Sequence, residues 1–459
     1  MIHSISTILA AVLKIIFAIN RMNNEGSNDA KTYWEKFLEL EEYDDEASTD
    51  NAIIVMLLVF FEENKQTRAI KWQNERLDWN EHVRRELHTK TFQSKYHMPL
   101  SSFTKLVDII RPDITLDFVK SMNSTGGNTP IYPELTVAMS LRFLGGEHVK
   151  SLVDIFGVDD ASVARHINLF FYSILSNESL AIKLPQTIDE LQELANGFNS
   201  ISSSDGLFHG CVGAIDGWLC STIQPIDKDI NNNRDYFSGH YQCFGLNIQA
   251  ICDHKMRFIY FGVAAPGKTG DARAFNKCVK LGRWMEKHLK NSPFFFVGDN
   301  AYVLSDELLI PFSGNSMTEA QRTYNFFLSQ LRIRIEMAFG RLTTKWRIFR
   351  RKLENGMERN ANICTVAAIL HNYVLNETSV NETDEDFIVS YPGAPSETLG
   401  YLPAVGDDED ADGNLGPRGI SRAGTSHRRM AFVRIVQRDG MTRPLYNRLR
   451  NDGNNVEHV

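Results

Sequence analysis

Three acidic residues, Asp216, Asp299 and Glu336, stand where a carboxylate is costly unless something binds it. Asp216 interrupts "CVGAIDGWLC", a run that otherwise reads as a strand about to be buried. Burying a charge is unfavourable unless it is paired or coordinated. Asp299 closes the apolar strand "FFFVGD", and the carboxyl ends of buried strands are where α/β sheets place their chemistry; a plain Gly-Asp turn is the competing reading. Glu336 is the single acid between Leu331 and Lys352, among eight basic residues. Its bland alternative is an Arg332–Glu336 pair one helical turn apart, worth a few tenths of a kcal/mol. Three acids converging on one sheet edge would repel one another without cations. Oxygen ligands of this kind suit Mg²⁺ or Mn²⁺, and two such ions about 4 Å apart can clamp an in-line attack on phosphorus.

The elements that must position these acids are legible from periodicity. "CVGAIDGWLC", "QCFGLNIQAICD" and "FIYFGVAAPG" follow one another as β-rich runs, as in an antiparallel meander. A helix ("DARAFNKCVKLGRWMEKHLK") leads to the apolar strand that ends at Asp299. Residues 318–352 are predicted helical, with Leu331, Ile335, Phe339, Leu342, Trp346 and Phe349 as the stripe that packs on the sheet. Glu336 borders that stripe. The basic residues Arg332, Arg341, Lys345, Arg347, Arg350, Arg351 and Lys352 are candidates for contacting nucleic-acid phosphates without reading sequence. "ANICTVAAILHNYVLNE" makes a last helix, in which His371 is assigned to packing because no second histidine lies at ligand spacing.

Upstream, the chain is helical. "SSFTKLVDIIRP" repeats apolar residues at helical spacing and is expected to stop at Pro112. Residues 134–175 have helix-turn-helix spacing: a helix ending at Gly145-Gly146, a short helix, a turn at Gly157, a cap at Asp159 or Asp160, and a third helix. Read functionally, Ser162, Arg165 and His166 face a DNA groove; read blandly, the segment is a helical hairpin in a bundle. The net charge of −8 means that any nucleic-acid surface is a local patch.

The six cysteines form no CxxC pair and read as buried thiols rather than a zinc site or disulfide framework. Residues 1–20 are apolar but lack a basic n-region and a cleavage site, and are short for a membrane span; an amphipathic helix or a dispensable extension is expected there, with a signal anchor as the minor alternative, and a packed helix at "AIIVMLLVFFEEN". The last eighty residues divide into an acidic stretch and a segment, 418–450, with nine arginines and no lysine. The latter contains a short helix, "RRMAFVRIVQRDG", and is either a solvated tail or an arm on a polyanion. The domains expected are an extension and linker (1–50), a helical domain (51–200), a catalytic domain (205–378) and a largely flexible tail (379–459).

In order along the chain, "FQSKYHMPLSSFTKLVDIIRP", "LRFLGGEHVKSLVDIFGVDDASVAR", "GAIDG", "PGKTGDARAF", "VGDNAY", "IEMAFGRL" and "AAILHNYVL" resemble the motifs of the PIF/Harbinger family of DDE transposases and the nucleases derived from them. The resemblance spans residues 92–377. It implies an α/β fold: an RNase H-like domain, a mixed sheet flanked by helices, preceded by an all-α domain with a helix-turn-helix. It further implies Asp216, Asp299 and Glu336 as the metal-binding triad for two Mg²⁺ or Mn²⁺ ions. The implied activity is cleavage and transfer of DNA strands at transposon terminal repeats in the nucleus, as a homo-oligomer, often with a separate Myb-like partner and without a membrane. Departures exist: Trp218, Leu219 and Cys220 follow "GAIDG", and Gly270-Asp271 stands where members often carry His-Asp. Asp271 is therefore either an auxiliary ligand or the N-cap of the helix it opens. A domesticated, catalytically silent DNA- or protein-binding factor is the alternative function, and a phosphoesterase acting on another substrate a weaker third.

Overall fold

The computed structural model describes residues 75–115, 130–226, 230, 232–314, 316–377 and 426–443. The helices expected near the amino terminus and the two linker stretches lie outside these residues. Helices come first: α1 (Trp79–His88), α2 (Phe92–Tyr96), α3 (Leu100–Ile114), α4 (Pro133–Leu144), α5 (Val149–Phe156), α6 (Asp160–Ser176) and α7 (Ile188–Ile201). Their boundaries have local causes. Pro133 opens α4 at a position where its missing N–H is not needed. Asp159 caps α6 by accepting from the Ser162 N–H at 3.1 Å, so the first of the two candidate aspartates is the cap. Thr187 and Glu190 form a reciprocal capping box on α7. Gly157 makes the α5–α6 turn with φ +61, where a Cβ would also strike the Glu75 carbonyl. One expectation fails: α3 carries Pro112 inside its last turn and runs two residues past it, ending at Ile114.

The sheet follows. Strands β1 (Cys211–Thr222), β2 (Phe237–Ser238), β3 (Cys243–Cys252) and β4 (Phe258–Pro266) are joined by helices α8 (Asp271–Lys277) and α9 (Val279–His288) to β5 (Phe295–Val297) and β6 (Leu308–Leu309). β1 pairs antiparallel with β3, and β3 with β4 and the short β2, while β1–β5 and β5–β6 are parallel. The result is a mixed sheet flanked by helices, in an α/β arrangement. Helix α10 (Glu319–Lys345), capped by the Thr318–Gln321 box, lies on β1, β3 and β5, and α11 (Met357–Glu377) lies on β4. The expected stripe on α10 is buried from Leu331 to Trp346. The helix is shorter than expected, however. It ends at Lys345, Arg347–Arg350 form a 3₁₀ turn, and Arg351 and Lys352 follow outside any helix. His371 packs as expected, its Nε2 2.9 Å from the Met256 carbonyl.

The arginine-rich tail departs from expectation. Helix α12 (His427–Arg438) is docked on the fold rather than free. Phe432 meets Phe208 and Phe295. Arg428 donates to the carbonyls of Ser292, Pro293 and Phe294, and Arg429 to those of Ile310 and Pro311. These two cations therefore finish the loops at the β5–β6 edge, and this part of 379–459 is not a flexible arm. Among the described residues no helix is long and apolar enough to cross a membrane.

Candidate active site

Strand alternation and register bring the two aspartates together. The β1–β5 pairing ends with Ala214 opposite Val297. Asp216 lies two residues further along β1 and Asp299 two residues past the end of β5, so alternation sets both on one face at the edge of two parallel strands spaced about 4.8 Å apart. Trp218, the next residue on that face of β1, packs on Phe339 of α10. Glu336 precedes Phe339 by one helical turn, which sets all three acids on the α10 side of the sheet.

Their electrostatics show crowding. Burial first, and then Asp299, push the Asp216 carboxyl up to about 8; the Gly217 N–H and Arg332 act against this. Asp299 is also raised, by burial above all, with Asp271 and Glu336 adding to it. Each aspartate has a single backbone donor on Oδ1, Gly217 N–H at 2.8 Å and Ala301 N–H at 2.9 Å. Glu336 is placed differently. It is bonded to Arg332 at 2.5 Å, with both side chains about a quarter exposed. Among the described residues, no group of three or more His, Cys, Asp or Glu side chains is gathered tightly enough to hold an ion. The structure thus brings Asp216 and Asp299 together and leaves Glu336 with the pair that is its bland alternative.

Asp271 comes from the other side of the sheet. Gly270, not Asp271, is the N-cap of α8, so the capping alternative fails. The Asp271 carboxylate instead lies against Gly217, where any Cβ would collide with Asp271 Oδ1. Asn247 Nδ2 and Gln249 Nε2 both donate to that oxygen at 3.0 Å. Tyr241 completes the neighbourhood; burial, then Asp271, Asp216 and Asp299, push its hydroxyl up to about 12. Asn247, Gln249 and Tyr241 are not among the residues that sequence reasoning singles out. A signal exists for the first two, since "LNIQAIC" places two amides two residues apart in an otherwise apolar strand.

The expected nucleic-acid contacts divide. Arg165, Arg347, Arg350, Arg351 and Lys352 are exposed, and Arg332 and Arg341 partly so. Lys345 is turned inward: it is buried, donates to the His97 carbonyl at 3.0 Å, and burial lowers it to about 7. Its place in the apolar junction between α10 and the helices removes it from the surface. His166 is likewise buried, 2.7 Å from Thr136 Oγ1, and lowered by burial to about 4. It holds α6 to α4 and faces no groove.

A family model described as "DDE superfamily endonuclease" matches residues 215–372, which contain all three acids. An Arabidopsis thaliana protein described as "Protein ALP1-like" is 25% identical over 323 residues, covering 65% of this chain and 75% of that protein. No solved structure matches the chain.

Proposed function

We propose, for a chain that belongs to the Harbinger-type family of DDE transposase-derived nucleases, that it cleaves DNA phosphodiesters at an acidic centre built on Asp216, Asp299 and Glu336. The observation that carries this reading is the placement of Asp216 on β1 and Asp299 just past the end of the adjacent parallel strand β5, where the charge of Asp299 helps push Asp216 upward. Two half-buried carboxylates side by side form a hard oxygen donor set short of positive charge, and such a set fits Mg²⁺ or Mn²⁺. Asp216 and Asp299 would hold these ions, with Glu336 as the third ligand. When bound, divalent ions polarise the phosphodiester and support the attacking and departing oxygens.

The chain's own residues do the rest. The Gly217 and Ala301 N–H groups fix the two aspartates by one oxygen each. Arg332, bonded to Glu336, supplies positive charge to the acidic edge. The exposed Arg347, Arg350, Arg351 and Lys352 keep the DNA backbone near by phosphate contact. An RNase H-like classification suits the strand order β4-β3-β1-β5-β6. The α5–α6 pair, with Arg165 exposed, is the helix-turn-helix of this reading. Transposon terminal repeats, a Myb-like partner, homo-oligomeric action and the nucleus are its remaining terms.

The Arg332–Glu336 ion pair favours a second reading, a silent DNA- or protein-binding factor in which the third acid is neutralised internally. One experiment separates them. Nicking of supercoiled DNA with Mn²⁺ or Mg²⁺ is expected from the parent protein and is expected to fall about 10³-fold or more in Asp216→Asn, the scale for removing a group that acts with others as a unit. Equal rates for parent and variant, or no cleavage by either, would favour the silent factor.

A further inference from the structure

Behind the strand that carries Asp216 lies a polar network with no spare atoms. Tyr302 Oη donates to Gln249 Oε1 at 2.7 Å. Gln249 Nε2 donates to Asn247 Oδ1 at 2.9 Å and to Asp271 Oδ1 at 3.0 Å. Asn247 Nδ2 donates to the same Asp271 oxygen and to the Thr269 carbonyl, each at 3.0 Å. Every amide hydrogen and both amide oxygens of Asn247 and Gln249 are used.

The network has one direction. A carboxylate accepts only, so Gln249 must turn its NH₂ toward Asp271. Its oxygen then faces Tyr302, which must donate. Rotating the amide would set two acceptors against each other in a buried place, at a cost well above that of an ordinary lost hydrogen bond. Gln249 is buried entirely and Tyr302 nearly so, and no apolar packing need accounts for two amides at alternate positions of a central strand.

The ends of the network matter. Tyr302 sits three residues after Asp299, and its N–H bonds back to the Asp299 carbonyl. Asp271 lies against Gly217, next to Asp216, in a space that exists only because residue 217 has no side chain. Gln249 stands opposite Gly217 in the β1–β3 register. One side chain therefore joins the Asp299 loop to a fourth acid placed directly behind Asp216.

We infer that Gln249 is a positioning residue of the acidic centre, one that through Tyr302 and Asp271 fixes the Asp299 loop against β1 so that Asp216 and Asp299 keep their spacing. This rests on the nuclease reading for its purpose but not for its test. Tyr302→Phe removes one hydroxyl and keeps the ring that packs on Phe275; Gln249→Leu removes the junction. Backbone hydrogen exchange in the full-length protein, without added metal, is expected to rise about tenfold at residues 299–302 in both variants, the scale of one net hydrogen bond. It is also expected to rise at 269–272 in Tyr302→Phe, on the far side of Gln249. In nicking assays, Tyr302→Phe should raise the Mn²⁺ concentration for half-maximal rate about tenfold, while the rate at saturating Mn²⁺ changes less. A merely structural amide would lower the melting temperature of Gln249→Leu and leave 269–272 unmoved in Tyr302→Phe; that result overturns the inference. A parent that nicks no DNA yet shows the coupled exchange overturns the nuclease reading and upholds this one.

Discussion

The helical part of the molecule and the acidic edge of the sheet both bury polar groups, and they treat them in opposite ways. In the helices His166 rests against Thr136, and His82 against Tyr96 at 2.7 Å. Burial lowers both imidazoles to about 4, and each finds its partners among the helices, His82 through Arg85 at 3.0 Å as well as Tyr96. At the sheet edge, two carboxylates are set side by side, each with one backbone donor, while Arg332 is bonded to Glu336 instead. A region that exists for packing discharges its electrostatic cost locally. A region that sets two acids side by side with little positive charge raises them instead, and the proposed function rests on that shortage.

The sharpest break between the two regions is their response to pH. Asp216 is raised in the folded state from the ordinary carboxylate range to about 8. Its contribution is therefore present at low pH and is lost as pH rises from about 4 toward 8. His166 is lowered from 6.5 to about 4, so its contribution is present above pH 6.5 and is lost as pH falls toward 4. Melting temperatures of the metal-free protein should decline at both ends of this range. Asp216→Asn should reduce the alkaline decline, which the raised Asp299 shares, and His166→Gln the acid decline, which His82, His97 and His371 share. A single variant flattening both would erase the distinction.

A smaller effect is expected from Thr136→Val. It strands a buried imidazole nitrogen and should cost about 1–3 kcal/mol in denaturant unfolding, while the nicking rate per folded molecule stays that of the parent. A parallel loss of nicking would mean that the helices and the acidic edge are one functional unit. The smallest effect concerns the exposed cations. Replacing Arg350, Arg351 and Lys352 should weaken binding to all DNA sequences alike and reduce the slope of log affinity against log salt by about three, roughly one for each phosphate contact removed. Sequence-selective loss would move specificity into this segment.

Much of this architecture is legible in the order of residues. The meander, the strand ending at Asp299 and the buried stripe of α10 follow from periods of 2 and 3.6 residues, which are local properties of the backbone. Asp216 and Asp299 stand out because a charge in an apolar strand is conspicuous in one dimension. Orientation is what one dimension hides. Lys345 and His166 read as surface residues because their neighbours are basic or polar, yet both turn inward to partners 248 and 30 residues away. Arg428 and Arg429 read as part of a loose polyanion arm and instead satisfy carbonyls more than a hundred residues distant.

Which elements form, and which acids fall at strand positions, is therefore a property of the chain's own pattern, because periodicity and propensity act over a few residues. Folding in three dimensions adds the neighbours. It stands Asp216 beside Asp299 and admits Asp271 through the gap at Gly217. Strand order and register select these partners across gaps of tens of residues, and a slip of one residue in a strand would turn its side chains to the other face.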